Sequence, residues 1–399
     1  MPGNILCLEQ FSSLGGGQLA LIDLLPALRE RGWNVRVALP GEGPLAAKIR
    51  ELHFPMESLP SGSYSNGRKT LFDAARYALE LPRLSRAIGS LLAEHKIDLL
   101  YVNAPRLLPA ASLAARRTSV PLLFHCHNRI AQPAAVLAAG RALGLSRARV
   151  IACSRFAAEP LRPRVAPDHL SILYNGVAPL AASHKTPARK LGRIGVIGRV
   201  DPEKGQLDFV RAARLLIRQF PDCTFSVIGA PSFSNNKYFD EVVRASHDLP
   251  IQFTGWRNDI ANVFAGIDLL AVPSTPVDAA PRVLLEAFAA RVPVVAFASG
   301  GIPEIVDNGV TGFLADPGTP QALASRIADV FFMDQDLLGS VVDRAYQSWL
   351  ANYTLDAYQR RVSDLLTGMR KAGTGEHSAA FVESDACPRF AIRTDEIGH

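Results

Sequence analysis

Short apolar runs alternate with amphipathic segments along almost the whole chain. The runs at 4–8, 34–39, 98–103, 120–125 and 149–153 have the length of single strands. They are apolar at consecutive positions, the pattern of strands covered on both faces. Between them, 18–31, 69–95 and 106–117 carry apolar residues at helical spacing. Strand and helix in alternation predict parallel sheets joined by right-handed crossovers. The alternation pauses at 178–191, a stretch of Ala, Pro, Lys and Ser that reads as a linker. It resumes with strands at 193–200, 223–228, 251–254, 268–272 and 292–298, and a helix at 206–219.

The expected units are a first domain at 1–177, the linker 178–191 and a second domain at 192–340. A helical segment, 341–371, follows, with one helix over 341–366 running back along the first domain. The tail 372–399 loses periodicity and gains Gly, Ser, Asp and Glu, which predicts disorder. Two open parallel sheets in tandem leave a cleft faced by the carboxyl ends of their strands, where α/β proteins bind ligands.

Composition narrows the class. A chain of 399 residues with 48% apolar and 20% charged content suits two soluble domains with ample cores. No run of about 18 uncharged apolar residues is present, and no basic segment precedes the first apolar run. The expectation is a cytoplasmic protein, peripheral on the inner face of a membrane if it meets one. The five cysteines lack paired spacing, and four sit in strand-like runs, as buried thiols do. A net charge of +6 suits anionic partners such as nucleotide diphosphates or acidic lipid surfaces. Nothing resembles a nucleic-acid-binding module, and no nucleic acid is expected.

The candidate chemistry collects at strand ends. Gly198-Arg199 follows one strand and Lys204-Gly205 precedes a helix. Such a junction exposes amides and a helix N-terminus to anions. Arg199 can fork onto phosphate oxygens, and Lys204 adds a point charge. Asp278 lies on the loop entering a helix, with Pro281 in its first turn and Glu286 about a turn and a half inside. A carboxylate there can accept both hydroxyls of a ribose. Gly300-Gly301-Ile302-Pro303-Glu304 follows another strand, and paired glycines allow close backbone approach. In the first half, Gly15-Gly16-Gly17 opens a helix, and His125-Cys126-His127-Asn128 ends a strand. His125 and His127 alternate and so share a face, but as a zinc pair they lack further ligands. Ser154 reads as a helix cap, Asn175-Gly176 as a tight turn, and Asp334-Gln335-Asp336 as a solvated turn.

Taken in order, these motifs resemble glycosyltransferase family 4. They are Gly15–Gly17, His127-Asn128, Asn175-Gly176-Val177, the 198–205 string, Phe253-Thr254-Gly255-Trp256 and the 273–312 segment. The likeness covers roughly 4–366. It implies an α/β fold of GT-B type, two doubly wound Rossmann-like domains facing across a cleft. The first domain takes the acceptor and the second the nucleotide sugar. It also implies retaining transfer from a nucleotide-diphosphate sugar, with UDP and GDP the candidate nucleotides and neither a cofactor nor a metal required.

The resemblance assigns roles to matching positions. His127 and Asp278 would face the donor sugar, and Arg199 and Lys204 would hold the diphosphate and the departing nucleotide. Glu286 would bind the ribose. Gly301, Ile302 and Pro303 would offer backbone to sugar and phosphates, Trp256 and Arg257 would lie near the base, and Gly16, Gly17 and Gly198 would approach the donor. Asp278 stands where the family normally has the first glutamate of Glu-x7-Glu, and Ala279-Ala280-Pro281 replaces the usual Pro-Phe-Gly. On the acceptor side the candidates are His125, Asn128, Arg68 and Lys69. The acceptor is expected to be a saccharide or lipid-linked, for cell-surface polysaccharide or glycolipid synthesis. The basic, partly apolar series Arg68, Lys69, Arg76, Arg83 and Arg86 reads as a solvated helix packed on the sheet or, alternatively, as a contact with an anionic membrane surface as partner. Two other functions fit the same residues: a GT-B sugar-nucleotide epimerase and a non-catalytic nucleotide-sugar-binding subunit.

Overall fold

The computed structural model describes residues 3–60, 71–180, 192–231, 236–316 and 318–373. Most of the expected linker, from 181 to 191, and the tail from 374 lie outside the described residues. The first sheet has seven parallel strands: β1 Gly3–Leu8, β2 Trp33–Leu39, β3 Met56–Ser58, β4 Leu99–Val102, β5 Leu122–Cys126, β6 Arg149–Ala152 and β7 Leu170–Ile172. Their order is β3-β2-β1-β4-β5-β6-β7. The second sheet is also all parallel, in the order β10-β9-β8-β11-β12-β13. Its strands are β8 Arg193–Ile197, β9 Thr224–Ile228, β10 Ile251–Gly255, β11 Leu269–Val272, β12 Val294–Phe297 and β13 Phe313–Ala315.

Both sheets are doubly wound. The chain builds outward to one edge, then returns to the other side of its starting strand. This leaves a switch point between β1 and β4 and another between β8 and β11. The pattern of the strands explains the layering. Leu6, Leu8, Leu100, Val102 and Phe124 pack into one core, while the alternate residues Ile5, Cys7, Leu99, Tyr101 and Leu123 pack into another. Three strands escaped the sequence pattern: β3, β7 and β13, each three residues long at or next to an edge. Three residues are too few to display a period. Cys7, Cys126 and Cys153 are buried free thiols and Cys223 is buried too, as their apolar surroundings suggested. Among the described residues, no helix is long and apolar enough to cross a membrane.

The C-terminal segment differs from expectation. Instead of one helix over 341–366 there are two, Gln335–Asn352 and Leu355–Gly373. Asp334 caps the first, accepting hydrogen bonds from the amides of Asp336 and Leu337, so the Asp-Gln-Asp string is a helix start. Leu338, Val341, Ala345 and Trp349 bury against the second domain. Tyr358, Val362, Leu365, Leu366 and Met369 bury against the first. The return to the first domain therefore happens at Tyr353-Thr354. The apolar period runs on through the break, so the sequence does not reveal that its partner changes.

The two crossings between domains touch. The Val177 amide donates to the Tyr353 carbonyl at 3.0 Å, and the Leu355 amide donates to the Val177 carbonyl at 3.0 Å. Gly176 makes this approach possible and is not the tight turn the sequence suggested. A Cβ there would lie 2.6 Å from the Thr354 carbonyl oxygen and 2.6 Å from Tyr358 Cβ. Gly176→Ala is thus expected to destabilise the protein by about 1–3 kcal/mol through overpacking. Urea unfolding would measure it, and an unchanged midpoint would remove the proposed constraint.

Candidate active site

The second domain builds its part of the cleft on three loops, at the ends of β8, β11 and β12. After β8, Gly198 adopts φ +147° and Arg199 follows. The buried Gln206 side chain donates to the Arg199 carbonyl at 2.7 Å and pins that turn. Asp201 caps the 3-10 turn Pro202–Lys204 by accepting from the Glu203 amide at 3.0 Å. Gly205 then takes φ +69°, and a Cβ on it would stand 1.9 Å from the Pro273 carbonyl oxygen. Only glycine satisfies both the dihedral and the contact. The result is that Lys204 meets the β11 loop, where its Nζ lies 2.6 Å from Asp278 Oδ2. Arg199 lies beside, 3.5 Å from Glu203.

The β12 loop closes on the same place. Cβ atoms on Gly300 and Gly301 would lie 2.2 Å from the Asp278 carbonyl oxygen and 1.7 Å from that of Ala279. This approach corrects one expectation. The Gly301 amide donates to Asp278 O at 3.0 Å, the Ile302 amide donates to Ser299 O at 3.1 Å, and Pro303 has no N–H. Only the Gly301 amide holds the Asp278 loop and the Ile302 amide is used within its own turn, so none of the three has an amide left for a ligand. Glu286, on the helix Arg282–Ala289, is half-buried, and its carboxylate makes no hydrogen bond or ion pair among the described residues. Burial raises its pKa, with Arg282 opposing.

The first domain presents the helix Gly16–Glu30 and the end of β5. Gly17 lies against the imidazole of His127, since a Cβ on it would be 3.1 Å from the ring. His127 Nε2 is 2.8 Å from Asn103 Oδ1. Burial, with Arg282 adding to it, pushes the His127 pKa down to about 3, so the ring is neutral. His125 does not reach the cleft. It is fully buried behind His127, the rings stacked at 3.9 Å, with Tyr101 Oη 2.5 Å from its Nδ1. Alternation put both on one face, but β5 ends at Cys126 and only the second ring lies beyond it. Asn128 is exposed. Arg68 and Lys69 fall outside the described residues. Trp256, 42% exposed, and Arg257 sit beyond β10, each held within its own loop: Trp256 Nε1 donates to Asn258, and Arg257 pairs with Asp259.

Several residues to which the motifs assigned no role lie at the cleft or join its two sides. Arg282 donates to Asp23 of the first domain at 2.8 Å. Glu304 accepts from the amides of Arg155 and Phe156 and from the Tyr174 hydroxyl, each at 2.7 Å. A second-domain carboxylate therefore caps the first-domain helix Arg155–Ala158, whose own cap is Ser154. Glu9, fully buried just past β1, accepts from Asn103 Nδ2 at 2.6 Å and from the amides of Gln10 and Phe11 at 2.7 and 3.0 Å. Glu9 and Asn103 sit at the carboxyl ends of β1 and β4, beside the switch point. A polar residue directly after a buried strand was the available signal.

Comparison with known proteins agrees with this geometry. A family model for "Glycosyltransferase Family 4" matches residues 14–179, and one for "Glycosyl transferases group 1" matches 192–331. A D-inositol 3-phosphate glycosyltransferase of Mycolicibacterium gilvum is 31% identical over 293 residues, 65% of this chain. The chain spans 63% of that relative's length. A putative glycosyltransferase of Bacillus subtilis, YtcC, is 25% identical across 85% of this chain and 88% of its own. In fold, the chain is similar to Anabaena HepE in complex with UDP and glucose. The TM-score is 0.75 at 24% identity, covering 91% of this chain and 99% of that one. The architecture is GT-B.

The buried carboxyl carries a stability signature. Burial lifts the Glu9 pKa from 4.5 to about 7 despite the hydrogen bonds from Asn103 and the backbone that oppose it. Between those values the folded state holds more protons than the unfolded one, so this group's contribution falls as pH rises from about 4.5 and levels off above about 7. The full span corresponds to roughly 3 kcal/mol. Denaturation of wild type and Glu9→Gln at acid and alkaline ends of that window should show the variant gaining relative stability as pH rises. A difference independent of pH would contradict the assignment.

Proposed function

The chain belongs to glycosyltransferase family 4, and from that premise we propose that it moves a sugar from a nucleotide-diphosphate sugar to a saccharide or lipid-linked acceptor, with retention at the anomeric carbon. The observation that carries this reading is the Lys204–Asp278 pair beside Arg199, at the carboxyl ends of β8 and β11. A diphosphate entering there offers Lys204 a more highly charged partner than Asp278. Lys204 then exchanges the carboxylate for phosphate oxygen, and Asp278 becomes available to hydroxyls of the sugar. With Arg199 adding a second fixed cation, the charge is met by side chains, and no metal is called for.

In the transfer step the bond from the anomeric carbon to the phosphate oxygen breaks while the acceptor oxygen bonds from the same face. The acceptor proton passes to the leaving phosphate. The protein's main contribution is electrostatic, because the cations stand where negative charge develops. Glu286 takes the ribose in this reading; its half-buried carboxylate, without a partner, supports the role. UDP-glucose is the first donor to test, since HepE has been seen with UDP and glucose. The place of the reaction in cell-surface polysaccharide or glycolipid synthesis is part of the same proposal.

A thermal-shift screen of UDP- and GDP-sugars should give a rise in melting temperature with one nucleotide class. Removing Lys204 or Arg199 by alanine substitution should lower kcat by about 10²–10³-fold, as other lost oxyanion contacts do. Donor consumed without acceptor would favour an epimerase, and donor bound without turnover a binding subunit. No binding of any sugar nucleotide would end the proposal.

For the membrane partner, the supporting feature is one exposed stripe at helical spacing on Leu71–Glu94: Arg76, Leu79, Arg83 and Arg86. Leu79 is 82% exposed. Pelleting with anionic vesicles at low salt should carry the protein down, and Leu79→Glu should weaken this. Vesicles that leave it in the supernatant would remove the membrane contact.

A further inference from the structure

The glycine turn at the start of Gly16–Glu30 borders two side chains with unfilled hydrogen-bonding capacity. A Cβ on Gly17 would be 3.1 Å from the His127 ring, and one on Gly16 would be 3.9 Å from Arg282 Cδ. Among the described residues, His127 Nδ1 is buried without a partner, and so are Nε and Nη1 of Arg282. Arg282 uses Nη2 for Asp23. One nitrogen of unassigned role and two guanidinium nitrogens, carrying three N–H between them, thus lie unpaired beside one turn, between domains. Buried polar groups left unpaired are costly, and such a cluster points to a group that completes it.

What that group can be depends on the tautomer of His127, and the residues behind it decide the tautomer. Asn103, 5% exposed, directs Nδ2 at two oxygens: Glu9 Oε2 at 2.6 Å and the Gly17 carbonyl at 3.1 Å. A main-chain carbonyl only accepts, so the amide nitrogen must face that side. Oδ1 is then the atom 2.8 Å from His127 Nε2. Amide oxygen also only accepts, so Nε2 must carry the proton. In a neutral ring Nδ1 is left as a bare acceptor, and the ring is neutral because burial and Arg282 disfavour its cation.

We infer that Glu9 and Asn103 are positioning residues that lock His127 as the Nε2–H imidazole, so that the contact with the donor sugar that the family resemblance already implies for His127 is made through a bare Nδ1 accepting from a sugar hydroxyl, with Arg282 donating to the same hydroxyl. The sugar part of this rests on the transferase reading above. A hydroxyl carries one donor and two acceptor sites, so it can donate to Nδ1 and accept from Arg282 at once. A carboxylate would set an acceptor against the Nδ1 lone pair, and an ammonium would face the Arg282 cation. The substrate class is therefore a sugar presenting a neutral hydroxyl at this point, in preference to a uronate or amino sugar presenting its charge there.

Two measurements test it separately. With 15N-histidine-labelled protein at neutral pH, long-range proton–nitrogen spectra should show His127 protonated at Nε2 and bare at Nδ1, the signal being assigned by its loss in His127→Gln. In Asn103→Leu the two nitrogens should move toward the averaged shifts of an unlocked ring. An Nδ1–H form or a cation in wild type would overturn the lock, whatever the protein's activity and without need of a folded variant. The second measurement uses UDP-glucose and its monodeoxyfluoro analogues, each replacing one hydroxyl by an acceptor-only fluorine. One analogue should bind about tenfold or more weakly than UDP-glucose in wild type, the ratio set by one lost hydrogen bond. That ratio should shrink in Asn103→Leu. Equal binding of all analogues would overturn the hydroxyl contact. Failure of UDP-glucose and all other sugar nucleotides to bind would overturn the donor reading, while the spectra still decide the lock.

Discussion

The cleft depends on loops that come closer together than residues with a Cβ allow. Gly205 against Pro273, Gly300 against Asp278 and Gly301 against Ala279 each leave less than 2.3 Å to a carbonyl oxygen from where a Cβ would stand. These contacts bind the β8, β11 and β12 loops into one layer at the carboxyl end of the second sheet. Lys204 and Asp278 are 74 residues apart in sequence and meet at 2.6 Å because that layer is tight. A parallel sheet supplies the loops on one side; glycine supplies their mutual fit.

The same tightness explains how backbone and side chains divide the work. The Gly301 amide is consumed in holding the Asp278 loop. The donor contacts proposed above are accordingly side chains: two cations, Asp278, Glu286 and, from the opposite domain, His127. Ala279 goes further and joins the core of the first domain. Glu304 and Arg282 each make bonds to that domain as well. Every element that carries a candidate donor-binding residue near the switch point is thus also fastened, directly or through a neighbour, to the facing half.

Legibility varied with the kind of signal. The long buried strands and their alternation with helices were readable because each shows several consecutive apolar positions. The motif residues Arg199, Lys204, Asp278 and Glu286 were readable because they sit at strand-to-helix junctions in a family's order. Asn103 and Glu9 carried only the weak mark of a polar residue ending an apolar run, and many such residues are simple caps. Gly176 gave the wrong signal: Asn-Gly usually means a turn, whereas here the absent Cβ makes room for Thr354 and Tyr358.

The sequence by itself determined the two parallel sheets, their tandem order and the side on which chemistry gathers, since hydrophobic periodicity and strand-end residues are local properties. Tertiary structure alone decided which partners meet. It put His125 behind His127, turned the C-terminal helix into two with different hosts, spent the Gly301 amide on Asp278 and joined Arg282 to Asp23. Those outcomes depend on distances between segments far apart along the chain, and no local pattern encodes which apolar face, carboxylate or carbonyl will be waiting on the other side.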